Sequence, residues 1–180
     1  RHHTSAGTNQ EDMARVVTVY NTERLAAVVP TDMAHIRWLK ISEALARAGH
    51  RVDMATTEHK FHLRKPIVTM GNDLRRVPLS RVDWGAYDVV KTLFHQGFET
   101  LERYGGVDHP FIVAKLGSVV ADSDRPGIYF YGTQRARMFA VQGRIHRRAS
   151  FVTVLSQPAM DLWIDSHGLR DGMKKKKKVI

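Results

Sequence analysis

Ten histidines and no cysteine bound the chemistry open to this 180-residue chain. Without thiols there is no disulfide, thiolate nucleophile or zinc–thiolate site, so proton transfer falls to imidazole and carboxylate groups. Two histidines stand where such chemistry is useful. His35 closes the stretch Thr31-Asp32-Met33-Ala34-His35, which follows the apolar run Leu25 to Val29, and His95 follows the apolar run Val89 to Phe94. An imidazole titrating near neutrality can take a proton from a hydroxyl, or hold a hydrogen bond to charge that develops as a bond breaks. Asp32 can orient His35 or bind a hydroxyl, although an acid at a helix start is equally favoured by the helix dipole. The plainer readings stand beside these: His35 as a helix-start residue that caps or meets solvent, His95 as a loop histidine without a role. His59 and His62 are three apart but have no carboxylate or thiolate at ligand spacing, so no metal is expected.

Such residues act only if secondary structure holds them, and Arg24 to Thr56 reads as a βαβ unit. Leu25 to Val29, ended by Pro30, has the character of a strand buried on both faces. From Ala34 the period changes: Ala34, Trp38, Ile41, Leu45 and Ala48 recur at three- and four-residue steps, with Arg37, Lys40, Glu43 and Arg47 on the other side. Gly49 stands where a helix end tolerates positive φ, and Val52, Met54 and Ala55 resume a strand. Glu11 to Asn21, with Val16, Val17 and Val19, reads as an extra strand or ordered arm; it is the alternative first strand, Leu25 to Val29 being favoured because a loop and helix follow it directly.

Further on, Glu58 to Pro66 is a basic rim segment, and Ile67 to Met70 and Leu74 to Leu79 are weak strands joined by a turn. Val89 to Phe94 and Phe111 to Leu116 are buried strands, with a short helix from Phe98 to Tyr104 between them. A helix from about Gln134 to Arg148 turns Met138, Val141 and Ile145 inward. Phe151 to Leu155 is the last strand, and Ser156-Gln157-Pro158 opens a final helix with a hydroxyl cap and an early proline. The alternation predicts an α/β fold: a doubly wound, mainly parallel sheet with helices on both faces. Residues 1–12 read as a tag-like arm, 13–172 as one domain, and 173–180 as a basic tail or the start of a linker. In such sheets ligands meet the carboxyl ends of the strands, which nominates Thr31, Asp32, Gln96, Gly117, Ser118, Ser156 and Gln157 as binding residues. For Ser156 a helix-cap role is the stronger reading.

The net charge of +10 points to anionic partners, but the run Lys174 to Lys178 supplies half of it. Nucleic acid is therefore not expected. Arg37, the Arg64–Lys65 pair and the arginines from Arg135 to Arg148 are the candidate surface for anionic lipid, against the default of solvated helix faces. No apolar run approaches 20 residues and the start is polar, so neither a membrane span nor a secretory signal is expected.

Three segments resemble one family. Ile41-Ser42-Glu43-Ala44-Leu45-Ala46-Arg47-Ala48-Gly49-His50-Arg51-Val52 is similar to the helix–turn–strand signature of the N-terminal domain of GT-B glycosyltransferases. Tyr87-Asp88-Val89-Val90, with His95 beyond it, and Phe151-Val152-Thr153-Val154-Leu155-Ser156-Gln157 are similar to later strands of that domain, in the same order. The resemblance covers residues 24 to 180. It implies a Rossmann-like domain that is half of a GT-B fold: the acceptor-binding half of an enzyme moving a sugar from a nucleotide-sugar donor to a hydroxyl or lipid-linked acceptor. It further implies no metal or other cofactor beyond that co-substrate, and a donor-binding domain supplied in trans or lying outside this chain. The chain alone is then expected to be inactive; apart from the resemblance, the absence of cysteine is compatible with the cytoplasm and the basic surface with a peripheral place at the inner membrane face. By the same resemblance His35 is the catalytic base and His95 a hydrogen-bond donor to the transferred sugar or its leaving phosphate. Two departures stand out. Asp32 and Met33 occupy the place of a Gly-Gly pair that lets backbone amides approach phosphates, and His35 is one residue off the base of a related branch, a rotation of roughly 100° on a helix.

A non-catalytic Rossmann-like module docking a membrane or partner through its basic surface is the rival reading. A nicotinamide dehydrogenase fragment is disfavoured, since no G-x-G-x-x-G follows Val29.

Overall fold

The computed structural model describes residues 13–20, 33–56, 67–69, 72–121 and 134–167. Its strands are β1 (Arg15–Val19), β2 (Arg51–Thr56), β3 (Ile67–Thr69), β4 (Asn72–Pro78), β5 (Val89–Leu93), β6 (Ile112–Lys115) and β7 (Phe151–Thr153). Its helices are α1 (Met33–Arg47), α2 (Phe94–Arg103), α3 (Arg135–Arg148) and α4 (Gln157–His167). The strands form one sheet in the order β3-β4-β2-β1-β5-β6-β7, parallel throughout except for the β3–β4 edge hairpin. The doubly wound α/β fold with helices on both faces is thus observed.

The place expected for Leu25 to Val29, between β2 and β5, is filled by Arg15–Val19; Leu25 to Val29 lies outside the described residues. The reason is burial on both sides. Val16 faces α1 together with Trp38, Val52 and Met54, while Val17 and Val19 join Phe98, Leu101, Ile112 and Val141 beneath the other helices. A central parallel strand needs apolar groups pointing both ways, and this run supplies them.

α1 ends as its sequence requires. Gly49 takes φ +95°, the His50 amide donates to the Leu45 carbonyl (3.2 Å) and the Gly49 amide to Ala46 (3.0 Å), a Schellman closure. Of the expected stripe, Trp38 is buried and Ala34, Ile41 and Leu45 pack against the core, but Ala48 is exposed, and His35, Ser42, Glu43 and Ala46 are buried as well. A polar ring sets the rotation of the helix. Trp38 Nε1–H donates to Thr18 Oγ1 (2.9 Å), and Ser42 Oγ donates to the Trp38 carbonyl (2.9 Å). The 2.8 Å contact between the Thr18 and Ser42 hydroxyls therefore carries the Thr18 proton to Ser42. Glu43, expected on the outer face, is buried but accepts from Lys40 (2.9 Å) and pairs with Arg47 (3.9 Å).

At the amino edge of the sheet Asp53 accepts two hydrogen bonds from Arg75 (both 2.9 Å) and one from the Tyr87 hydroxyl (2.8 Å). Burial and the neighbouring Asp53 carboxylate push the Tyr87 phenol above its ordinary range. This cluster locks β2, β4 and the entry to β5 at the end of the sheet opposite the expected crevice. Among the described residues no helix is long and apolar enough to cross a membrane.

Candidate functional site

Where a doubly wound sheet reverses direction, the two strand ends splay and leave a crevice. Here the reversal lies between β1 and β5, because α1 carries the chain from β1 toward β2 and β4 while α2 and α3 carry it from β5 toward β6 and β7. Tyr20 follows β1 directly, and its ring meets His35 edge-on (5.3 Å between centroids), Phe94 (5.5 Å) and Trp38 (6.0 Å). The carboxyl end of β1 is therefore packed among aromatic rings, with one buried imidazole among them.

Phe94 bends the other side. Leu93 is extended (φ −115°, ψ 129°), Phe94 takes φ +59°, and α2 begins at once. Positive φ on an aromatic residue is strained, of order 1–3 kcal/mol. Two close approaches hold it. A Cβ on Gly97 would stand 2.6 Å from the Val19 carbonyl oxygen, so α2 packs directly on the end of β1. Gly117, past the end of β6, lies against the Phe94 ring, with no room for a side chain between them.

The sequence-nominated residues divide accordingly. His35 is buried at the crevice, in contact with Tyr20. Gly117 is beside it through Phe94, Ser118 is half-buried in the same loop, and Gln96 is exposed on the first turn of α2. His95 and Gln96 were expected in a loop before a helix starting at Phe98; the Phe94 turn places both inside α2. Ser156 and Gln157 are exposed two strands away, past β7. Ser156 Oγ accepts from the Ala159 amide (3.4 Å), the expected helix cap, and Gln157 donates along α4 to Asp161 (2.7 Å). Thr31, Asp32, Arg64 and Lys65 lie outside the described residues.

The His95 side chain turns away from the crevice toward α3. It is buried and lies 3.1 Å from Gln142 Oε1, which also accepts from the Val120 amide (2.8 Å). An amide oxygen only accepts, so His95 carries its proton on Nε2. Gln142 Nε2 donates to the Val120 carbonyl (2.9 Å) and to His167 Nε2 (3.0 Å). One buried amide thus ties α2, the loop after β6, α3 and α4 together. Burial lowers the His95 pKa below its ordinary 6.5, opposed in part by the Gln142 hydrogen bond and the Glu99 charge. The unfolded chain then binds more protons than the folded one just below pH 6.5, so stability falls as pH drops through that window. We expect a slope of at most about 1.4 kcal/mol per pH unit from this group. Urea midpoints of His95→Gln between pH 5 and 7 should lack that component; an unchanged slope would assign it elsewhere.

Charge on α3 is largely consumed. Arg137, Arg144 and Arg148 pair with Glu99 (2.9 Å), Glu102 (2.7 Å) and Asp108 (3.2 Å), joining α3 to α2 and the turn beyond it. Arg137 and Arg148 remain more than half exposed beside these partners, and Arg37 is exposed on α1. Tyr20, Phe94, Gly97 and Gln142 went unnominated in sequence. Tyr20 would have been found had Arg15–Val19 been taken as the first strand, but nothing local marks Gln142. Among the described residues no group of three metal-ligating side chains occurs.

A parallel sheet wound both ways from β1, with a crevice at the β1–β5 reversal, defines a Rossmann-like domain. No protein-family model matches the chain, and no curated protein is significantly similar to it. Among solved structures, sucrose-phosphate synthase from Thermosynechococcus elongatus superposes with a TM-score of 0.59 at 16% identity, over 93% of this chain and 47% of that one. A second structure of that enzyme, from the same organism, gives 0.53 at 13% identity over 92% of this chain and 87% of the other. The chain shares a Rossmann-like fold with these structures, and spans about half the length of the first of them.

Proposed function

We propose that this chain is the acceptor-binding half of a sugar transferase. The observation that carries the reading is the coincidence of two things: a fold shared with half of a sucrose-phosphate synthase chain, and a buried imidazole among aromatic rings at the carboxyl end of β1, where such folds bind ligands. In this reading Tyr20 and Phe94 pack against the acceptor. A His35 ring nitrogen takes the acceptor hydroxyl proton as that oxygen bonds to the anomeric carbon of the donor sugar. The bond from that carbon to the diphosphate breaks, and the nucleoside diphosphate leaves with the electron pair. His95 is a positioning residue, holding the first turn of α2 against Gln142. The donor-binding half acts in trans or lies elsewhere in the polypeptide.

Labelled resonances of the chain test this directly. Addition of hexoses and hexose phosphates should perturb Tyr20, His35 and Phe94 for at least one of them, and addition of UDP alone should leave them unmoved. Sugar transfer from UDP-glucose by this chain alone, or perturbations confined to another surface, would overturn the reading. In an assembly completed with a donor half, His35→Gln should lower the transfer rate by about 10²–10⁴ with acceptor binding retained.

A further inference from the structure

Lysine is rarely placed in the middle of a buried parallel sheet without a counter-charge. Lys91 is the central residue of β5, and alternation turns it away from Val90, which is in the core under α2 and α3. It therefore shares the α1-side face with Thr18, its register partner on β1. Lys115 ends β6, in register with Leu93 of β5, and points to the same face. The two lysines are thus diagonal neighbours across adjacent strands, close enough for their long stems to bring both ammonium groups together. Their stems pass Leu93 and Val113, and both residues are half-buried.

Several basic side chains elsewhere in the fold meet acids, Arg75 with Asp53, Arg137 with Glu99, Arg144 with Glu102 and Lys40 with Glu43, although the half-buried Arg76 also has a partnerless Nε. Lys91 and Lys115 have no hydrogen-bond or ion-pair partner among the described residues. Burial, and then the charge of Lys115, lower the Lys91 pKa from its ordinary 10.5. A like-charge pair across adjacent strands is destabilising, and desolvation adds to the penalty. An anion bound between the two groups removes both costs.

We propose that Lys91 and Lys115 form a binding site for a phosphate-class oxyanion on the α1-side face of the sheet, beside the carboxyl ends of β5 and β6. Two ammonium groups offer up to six donors and two charges, which suits a dianion better than a monovalent halide or a neutral hydroxyl. The site adjoins the β1–β5 junction, since Lys91 is in register with Thr18 of β1, but the argument for it does not depend on the transferase reading. Its ligand is either free phosphate or the phosphate of an organic ester.

The test is thermal denaturation of the full chain in inorganic phosphate, in a hexose phosphate, and in chloride at matched ionic strength. At saturation, phosphate should raise the melting temperature by about 2–4 °C over chloride. A larger rise with the ester than with inorganic phosphate would identify the ester as the source. Lys91→Met and Lys115→Met keep the apolar stem, should melt no lower than wild type in chloride, and should lose the phosphate increment. Should Lys91→Met fail to fold, Lys115→Met at the strand end carries the comparison. In reductively dimethylated protein, phosphate should move the methyl resonances of Lys91 and Lys115 ahead of those of the tail lysines. An equal increment in wild type and both variants, or none in wild type, overturns the site.

Discussion

Gln142→Leu should lower the stability of the chain by about 3–5 kcal/mol, seen as a fall in melting temperature of about 8–15 °C. The side chain is fully buried and makes four hydrogen bonds, to His95, to both backbone groups of Val120 and to His167. Leucine fills much of the volume, so the loss is not a cavity effect. Four polar groups would instead be stranded in a dry interior, at about 1–3 kcal/mol each before partial relief by rearrangement. Gln142→Glu separates the contributions: it keeps the acceptor for the Val120 amide and for His95 but loses both donated bonds and buries a charge. A loss below about 1 kcal/mol for the leucine variant would mean that water reaches this network and that it does not organise α2, α3 and α4.

The second large effect is Gly97→Ala. Alanine is the better helix former by about 1 kcal/mol, so an exposed helical glycine would gain from the change. This one cannot. The new methyl would sit 2.6 Å from the Val19 carbonyl oxygen and 3.5 Å from Tyr20 Cα, both backbone atoms in the middle of the sheet. α2 must then retreat from β1, at a cost of about 3 kcal/mol or more, for a net loss of at least about 2 kcal/mol. The same retreat relaxes the Phe94 turn and moves Tyr20, so ligand perturbations at the crevice should vanish even below the melting transition. Gly117→Ala is the control: it meets only the Phe94 ring, which is a side chain, and should lose less stability while still disturbing the crevice wall. Equal stability of Gly97→Ala and wild type in urea would show that the junction of α2 and β1 yields easily.

Much of the architecture follows from short-range pattern. The three-and-four spacing around Trp38 announces α1, Gly49 its end, and Ser156 the cap of α4. The β-rich runs at Val89, Ile112 and Phe151 become β5, β6 and β7 in the expected order. These features depend on neighbours within about five residues, which is the range over which helix caps and apolar periodicity act. The start of the first helix, with His35 on its first turn, was also legible.

What the chain could not announce locally was decided by packing between distant segments. Two apolar runs competed to be the first strand, and Arg15–Val19 took the place by pairing with both β2 and β5. His95 faces Gln142, 47 residues away, and Arg137 and Arg144 find acids 38 and 42 residues away. Glu43 is drawn inward because the Thr18–Trp38–Ser42 ring sets the rotation of α1. Side-chain direction at such positions depends on which partner the completed sheet brings within hydrogen-bonding reach. For the same reason Lys91 and Lys115, unremarkable 24 residues apart in sequence, become neighbours only when β5 and β6 pair.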